Sequence, residues 1–322
     1  MVASIFRKGV VMRVVITGGT GFIGTALTRV LVAAGHDVVI LTRRPRAVAA
    51  SSRVAAEAPA GTLEYAVWDG MTSRGWGHFA EDAAVVNLAG ESIASGRWNA
   101  EKKRDIVESR LAAGAAVVQA AAKAAIKPRV VVQASAVGYY GDRGEQVLEE
   151  HSLPGKGFLA DTAVKWEQST REVEDMGVRR VVVRTGVVLG RGGALARMLP
   201  PFRLGLGGPV GDGRAWFPWI HVRDEVRAMA FLLERGEAMG PFNLVAPGIV
   251  TNKAFTEALG AALGRPTVLR VPAFALRLAL GEMADAALLA SLRVVPARLS
   301  ALGFSFDFPD VAAALSDLTA AA

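Results

Sequence analysis

Short apolar runs alternate with longer stretches of helical spacing over the first 190 residues of the chain. RVVIT (13–17) is an apolar run that ends in glycines, as a strand buried on both faces of a parallel sheet would be. FIGTALTRVLVAAG follows with Ile23, Leu27, Val30 and Leu31 on one helical face and a stop at Gly35. DVVILT (37–42), LEYAVW (63–68) and AAVVNLAG (83–90) predict three more strands. NAEKKRDIVESRLAAGAAVVQAAAKAA predicts a long helix of good formers, charged early and alanine-rich later. RVVVQAS (129–135), a helix around 160–176 and RRVVVRTGVVLG (179–190) continue the alternation. The rhythm predicts an α/β fold: a Rossmann-type, doubly wound parallel sheet over 12–190 with helices on both faces.

Beyond residue 190 the rhythm weakens. LPPFRLGLGGPVGDGRAWFPW clusters glycine and proline and reads as a long loop over a site. A helix (VRDEVRAMAFLLE), a strand (GPFNLVA), another helix (NKAFTEALGAALG) and an Ala/Leu-rich tail follow. Residues 191–322 are therefore expected to form a smaller C-terminal lobe mixed into the end of the sheet, with residues 1–11 a loose extension before Met12.

Composition narrows the function classes. The 322 residues include no cysteine, which excludes disulfides, thiolate metal sites and cysteine nucleophiles and fits a cytoplasmic setting. The net charge of +7 is scattered without basic runs or interleaved aromatics, so it reads as solvated surface and no nucleic-acid partner is expected. The start lacks a signal-peptide h-region, and the most apolar window, VPAFALRLALGEMADAALLASL, is broken by Arg277, Glu282 and Asp285, so no membrane association is expected. His36, His78, His151 and His221 show no ligand spacing, and no metal is expected. His221 in WIHVRD begins a helix and is read as orienting a loop. Asp69, after the third strand, either meets an adenine edge or caps a turn.

The densest chemical signal is VVITGGTGFIGTAL. Gly18, Gly21 and Gly24 stand between a predicted strand and a predicted helix, where a sharp turn, close approach of a pyrophosphate and tight helix–strand packing each disfavour a Cβ. The helix N-terminus supplies free N–H groups and partial positive charge for phosphates. Gly18, Thr20, Gly21, Phe22, Ile23 and Gly24 are thus candidate dinucleotide contacts. The second strand ends ILTRRP, with Thr42, Arg43 and Arg44 where an acid would hold the ribose hydroxyl of NAD. A guanidinium there bonds a 2′-phosphate, so NADP(H) is the expected cofactor and Arg43 its main discriminator; the plainer alternative is a solvent-facing pair.

TGGTGFIG, NLAG after the fourth strand, YYG after the fifth and RTGVVLG after the sixth resemble the extended short-chain dehydrogenase/reductase superfamily. VNLAGESIASGRWNAEKK, GRGGALARMLPPFRLGLGGPVGDG, FPWIHVRDEVRA and RVVPARLSALGFSFDFP are similar to an epimerase-family group labelled nucleoside-diphosphate-sugar epimerases, some with a cell-division-inhibitor label. The resemblance runs from about residue 12 to the end. It implies adenosine-phosphate contacts at Thr42 and Arg43, cofactor contacts at Leu88, Ala89 and Arg110, and a nicotinamide neighbour at Val188. Core packing for Leu88, Ala89 and Val188, and a surface salt bridge for Arg110, are the alternatives.

The superfamily's usual proton donor is a tyrosine paired with a lysine four residues on, with a serine from the fifth strand. The cation favours the phenolate and brings its proton transfer toward neutral pH. None of the three tyrosines has a lysine at that spacing, and in GFLADTAVKWEQ the tyrosine position falls on Phe158 or Leu159. Ser135, Tyr139, Tyr140 and Lys165 remain as candidate catalytic groups, each with an ordinary structural alternative. Arg97, Trp98, Arg191 and Trp219 are candidate contacts for a sugar, phosphate or carboxylate. Two readings stay open: an NADP(H)-dependent oxidoreductase or epimerase with a nonstandard proton donor, acting on a small molecule as a monomer or homodimer, and an NADP(H)-binding sensor without turnover.

Overall fold

The computed structural model describes residues 11–43 and 61–320. Seven parallel strands form one sheet: β1 (Arg13–Thr17), β2 (Asp37–Thr42), β3 (Leu63–Val67), β4 (Ala84–Asn87), β5 (Val130–Ala136), β6 (Arg179–Thr185) and β7 (Gly240–Leu244). Their spatial order is β3-β2-β1-β4-β5-β6-β7. The winding reverses between β1 and β4, and a doubly wound sheet opens a crevice at the carboxyl ends of such a pair. β4 is buried along its whole length, as a strand covered on both faces must be.

One face carries α1 (Phe22–Ala33) and α5 (Val222–Glu234), which bury Leu27, Leu31 and Met229 against Val14, Ile16 and Val86. The other carries α2 (Ala100–Lys123), whose small buried side chains Ala113, Ala116 and Ala120 pack against Val15, Val85 and Val131. Asn99 caps α2 by accepting a hydrogen bond from the Lys102 N–H at 2.7 Å. The alanine-rich half of α2 lies under the sheet because small side chains allow close approach, and its first turns carry the charged residues.

Three predicted elements differ in detail. The strand expected over 179–190 breaks at Gly186, where a Cβ would lie 2.9 Å from the Pro218 carbonyl oxygen. Its second part, Val187–Leu189, leaves the sheet and pairs in parallel with Trp219–His221. The helix expected around 160–176 is α3 (Phe158–Gln168) followed by a separate short turn at Glu172–Asp175. The expected loop contains α4 (Gly193–Arg203), with Pro200 and Pro201 inside it. Leu195 and Phe202, seven apart on one face, are buried and hold α4 in place despite the two missing backbone donors.

α6 (Asn252–Leu263), α7 (Ala273–Leu280) and α8 (Val311–Thr319) complete the C-terminal part. Leu195, Phe202, Phe255, Leu259 and Leu315 form a separate apolar cluster there. β7 nevertheless belongs to the main sheet and pairs with β6, so the C-terminal part is built onto the sheet rather than hung from it. Among the described residues, no helix is long and apolar enough to cross a membrane.

Candidate functional site

A crevice of about 790 Å³ opens where β1, β2 and β4 end. Gly18, Thr20 and Gly21 form one wall, Leu88 and Ala89 another, and Thr42 and Arg43 the far end. Gly18 has φ +68°, and a Cβ on it would lie 2.9 Å from the Leu88 carbonyl group. A Cβ on Gly24 would collide with the Gly18 carbonyl oxygen, so this glycine lets α1 pack against its own turn. Gly21 precedes α1, no side chain caps the helix, and its first turn carries no acid. The residues thus fit a dinucleotide: the glycine cradle leaves room for a pyrophosphate, and the uncapped helix start offers it N–H groups. Phe22 and Ile23 open α1, and only their backbone is placed to face the crevice, since neither side chain lines it. The Phe22 ring lies under the GRGG turn, where a Cβ on Gly192 would meet it at 3.0 Å, and the Ile23 side chain packs on the core.

Thr17, at the end of β1, holds the opposite wall. Its hydroxyl donates to Asn87 Oδ1 at 2.6 Å and accepts from the Leu88 and Ala89 N–H groups at 3.1 Å each. Asn87 donates in turn to Gln133 Oε1 at 2.9 Å. This buried polar chain runs from the carboxyl ends of β1 and β4 to the middle of β5 and fixes the loop after β4. The sequence reading missed it. Its only linear signal is a polar residue closing each of β1 and β4 and one in the middle of β5.

Arg43 is exposed at the tip of β2, its stem beside Gly70. Arg44 lies outside the described residues. Glu91 faces the crevice, but Lys102 engages its carboxylate and, with Ser95 and Arg43, holds it below the usual glutamate range. Arg110 is no surface salt bridge. Its Nη1 donates to the Glu91 and Ile106 carbonyl oxygens at 3.0 and 2.8 Å, and its guanidinium stacks 4.6 Å from the Trp166 ring centroid. Burial pulls its pKa down to about 10, with only the Glu91 charge opposing. Asp69 caps its own turn, accepting from the Met71 and Thr72 N–H groups at 2.7 Å each.

A second cavity, about 230 Å³, is lined by Arg110, whose Nη1 donates to the Glu91 carbonyl oxygen on the crevice side. α3 contributes Leu159, Ala163 and Trp166 to its wall, the end of β5 contributes Ala136 and Val137, and Trp216 and Phe217 close another side. Of the two positions considered for the family's tyrosine, Leu159 faces this cavity, and Ala163 lies four residues on. The four candidate catalytic groups lie elsewhere. Tyr140 is fully buried: its hydroxyl donates to Asn243 Oδ1 at 2.7 Å and accepts from Arg184 at 3.1 Å. Burial raises its pKa, so it is a structural phenol. Tyr139 supports the Arg184 guanidinium, which sits 3.5 Å from its ring centroid. Ser135 donates to Glu167 Oε1 at 2.7 Å, and Ala136, without a hydroxyl, is the strand-end residue on the cavity wall. Lys165 is exposed, while the cavity takes the face of α3 that carries Leu159, Thr162, Ala163 and Trp166.

The expected substrate contacts and the nicotinamide neighbour are likewise displaced. Trp219 is 1% exposed, donates to the Gly248 carbonyl oxygen at 2.9 Å and belongs to the C-terminal core; Trp216 and Phe217 face the cavity instead. Arg191 is exposed and donates to the Ala320 carbonyl oxygen at 3.2 Å. Arg97 is exposed beside Gly281. Trp98 donates to the Ile93 carbonyl oxygen at 2.8 Å and packs edge-on against Phe158, bracing Ile93 on the wall. Val188 packs into the main core, and its neighbour Val187 faces the cavity, as strand alternation requires. His221 caps α5 by accepting from the Arg223 N–H at 3.0 Å, in keeping with an orienting role.

Behind the cavity, Thr185 donates to Glu225 Oε1 at 2.8 Å. Glu225 is 1% exposed, and its second oxygen has no partner, so burial pushes its pKa up to about 8 from 4.5. The folded chain therefore holds a proton that the unfolded chain releases between these values. The stability this contributes is complete below about 4.5 and is lost as pH rises through about 8. The slope approaches about 1.4 kcal/mol per pH unit. Urea unfolding across that window should show the decline in the parent chain and a flatter profile in Glu225→Gln; parallel profiles would remove Glu225 as the source.

The model of the NAD dependent epimerase/dehydratase family matches residues 14–245, and that of a domain of unknown function, DUF1731, matches residues 271–318. The epimerase family protein SDR39U1 of Bos taurus is 41% identical over 314 residues, covering 96% of this chain and all of that protein. Epimerase family protein Mb2239 of Mycobacterium bovis is 41% identical over 308 residues, 95% of this chain and 97% of its own. The crystal structure of human SDR39U1 (isoform2) with NADPH superposes with a TM-score of 0.84 at 36% identity, covering 97% of this chain and all of that one. With the glycine crevice at the switch point, the family match over most of the chain and near-full-length relatives, this protein belongs to the NAD dependent epimerase/dehydratase family, of the extended short-chain dehydrogenase/reductase type.

Proposed function

We propose that the chain is an NADP(H)-dependent oxidoreductase or epimerase of the extended short-chain type that works on a carbonyl compound or alcohol without the Tyr-x-x-x-Lys pair. The observation that carries this reading is Arg43 at the rim of a glycine-lined crevice whose second strand ends without an acid. The NADPH in the human SDR39U1 structure supports the same choice. When bound, the nicotinamide supplies or accepts hydride. The chain's residues hold the dinucleotide through the Gly18–Gly24 turn, the start of α1 and the Leu88–Ala89 wall braced by Thr17. Leu159 and Ala163 stand on the cavity wall four residues apart, where the family's pair would stand, and neither titrates. The proton then falls to Thr185 Oγ1 on the cavity wall, once the Glu225 carboxyl, held protonated by burial, donates to it and frees its own hydroxyl proton. A cytoplasmic setting, a small-molecule substrate and a monomeric or homodimeric state accord with the cysteine-free composition and scattered charge.

The apolar Leu159 and Ala163 positions also favour a second reading, an NADP(H)-binding sensor that does not turn over. Incubation with NADPH and a panel of ketones, aldehydes and nucleotide sugars separates the two. Steady loss of NADPH absorbance, abolished in Arg43→Ala, supports the enzyme. Tight binding with no oxidation across the panel supports the sensor, and failure to bind NADPH would sink both.

A further inference from the structure

The cavity beside the crevice is chemically one-sided. Leu159, Ala163, Val187, Trp216, Phe217 and Leu288 give it an apolar wall, and among the described residues no lysine, histidine, aspartate or glutamate lines it. Trp166 Nε1 on the wall is buried without a partner among the described residues, whereas the threonines and Asn252 Oδ1 are engaged. Thr162 donates to the Phe158 carbonyl oxygen at 2.6 Å, and Asn252 Oδ1 accepts from the Val210 N–H at 2.8 Å. Thr185 donates to Glu225 at 2.8 Å. Arg110 spends Nη1 on two backbone carbonyls and, among the described residues, keeps Nε and Nη2 without a protein acceptor. The residues expected from the sequence to meet a sugar or a phosphate, Arg97, Trp98, Arg191 and Trp219, stand outside this wall.

Resting on the NADP(H) reading above, we propose that the substrate of this cavity is a compact, largely apolar carbonyl compound, and that a nucleoside-diphosphate sugar is not its ligand. A sugar ring brings several hydroxyl groups, and each one buried without a partner costs about 1–3 kcal/mol. A diphosphate brings two negative charges, for which, among the described residues, the wall offers one cation, Arg110. A ketone or aldehyde on an apolar frame makes the opposite demand. Its body displaces water from Leu, Val, Trp and Phe surfaces, and its one oxygen needs one or two donors, which the remaining N–H groups of Arg110 supply, joined by the Thr185 hydroxyl when it turns from Glu225. In the reduction, the carbonyl carbon gains a hydride from NADPH, which becomes NADP⁺; the oxygen gains a proton from Thr185, Thr185 takes one from the protonated Glu225 carboxyl, and Glu225 regains its proton from solvent.

The test uses the full chain and reads binding directly. Calorimetry first establishes NADPH binding by itself. The NADP⁺-loaded chain is then titrated with cyclohexanone, acetophenone and menthone, and separately with UDP-glucose, following calorimetric heat and the fluorescence of Trp166 and Trp216. At least one ketone is expected to bind about tenfold or more tightly than UDP-glucose, a difference of about 1.4 kcal/mol. Leu288→Asp should weaken ketone binding at least about tenfold, because it places a charge on the apolar wall, whereas Leu288→Ala should change it by less than about threefold. UDP-glucose binding as tightly as the best ketone, saturable binding by none of the three ketones, or insensitivity to Leu288→Asp overturns the proposal. Failure of NADPH to bind in the first titration counts against the cofactor reading instead, and the ketone and UDP-glucose titrations of the unloaded chain still decide the character of the cavity.

Discussion

Arg43→Asp should invert the coenzyme preference of this protein. The wild-type guanidinium stands at the exposed tip of β2, on the rim of the crevice, where the adenosine ribose lies in a doubly wound dinucleotide site. A charge-assisted hydrogen bond to a 2′-phosphate is worth about 1.5–3 kcal/mol, and its loss weakens NADPH binding about ten- to a hundredfold. Aspartate adds repulsion against the phosphate and can accept from the free 2′-hydroxyl of NADH, so the preference reverses rather than merely fading. Glu91, on the same crevice, does not cancel Arg43 in the parent chain, because Lys102 already engages its carboxylate. Arg43→Ala separates the two contributions: it should lower affinity for NADPH and leave that for NADH nearly unchanged. Titration of both coenzymes against all three chains gives the ratios, which should shrink as salt is raised because the group is exposed. An Arg43→Asp chain whose ratio of affinities equals that of the parent would take Arg43 out of the site.

The largest effect on stability is expected from Arg184→Ala. Arg184 is 3% exposed at the end of β6 and makes paired hydrogen bonds to the two Glu167 oxygens at 2.8 and 3.0 Å. It also donates to Tyr140 at 3.1 Å and to the Glu150 carbonyl oxygen at 3.0 Å. Burial works against its charge, but Glu167 and Tyr140 outweigh that and hold its pKa above the usual arginine value. Truncation leaves the Glu167 carboxylate without its cation, the Tyr139 ring without its stacked guanidinium and the Tyr140 hydroxyl without a donor. Breaking a buried pair from one side typically costs about 3–5 kcal/mol. Arg184→Lys should recover only part of this, since an ammonium makes neither the paired contact nor the planar stack. Ser135→Ala, which removes one hydrogen bond to the same carboxylate, should cost about 1 kcal/mol. Adding Glu167→Gln to the Arg184→Ala chain should restore stability by removing the stranded charge. Urea midpoints of the four variants decide the matter, and a loss for Arg184→Ala no greater than that for Ser135→Ala would show the pair to be dispensable.

This network shows why the tyrosines of YYG cannot be assigned from the linear sequence. Their position after the fifth strand is where a proton donor belongs in this superfamily. The partners that hold Tyr140 in the interior, Arg184 and Asn243, come from β6 and β7, 44 and 103 residues further along. Trp219 and Trp216 make the same point at shorter range. Three residues apart, one is a core residue of the C-terminal cluster and the other faces the cavity. Alternation along a strand leaves one bit of ambiguity, inward or outward, which is settled only by what packs on each face.

The order of strands and helices, the glycine turn and the guanidinium at the second strand's end could all be read directly, because each depends on residues close together in the chain. A continuous apolar run must be covered on both faces, three glycines between a strand and a helix leave room for a phosphate, and an absent acid leaves a 2′-phosphate unopposed. Folding was needed to show which side chains meet across the sheet: Thr17 with Asn87, Ser135 with Glu167, Thr185 with Glu225. Folding also assigned an apolar wall to Leu159 and Ala163 and moved the expected catalytic groups off it. The reason is physical: the direction and burial of a side chain, and hence its charge state and its partners, belong to the packing between elements distant in sequence.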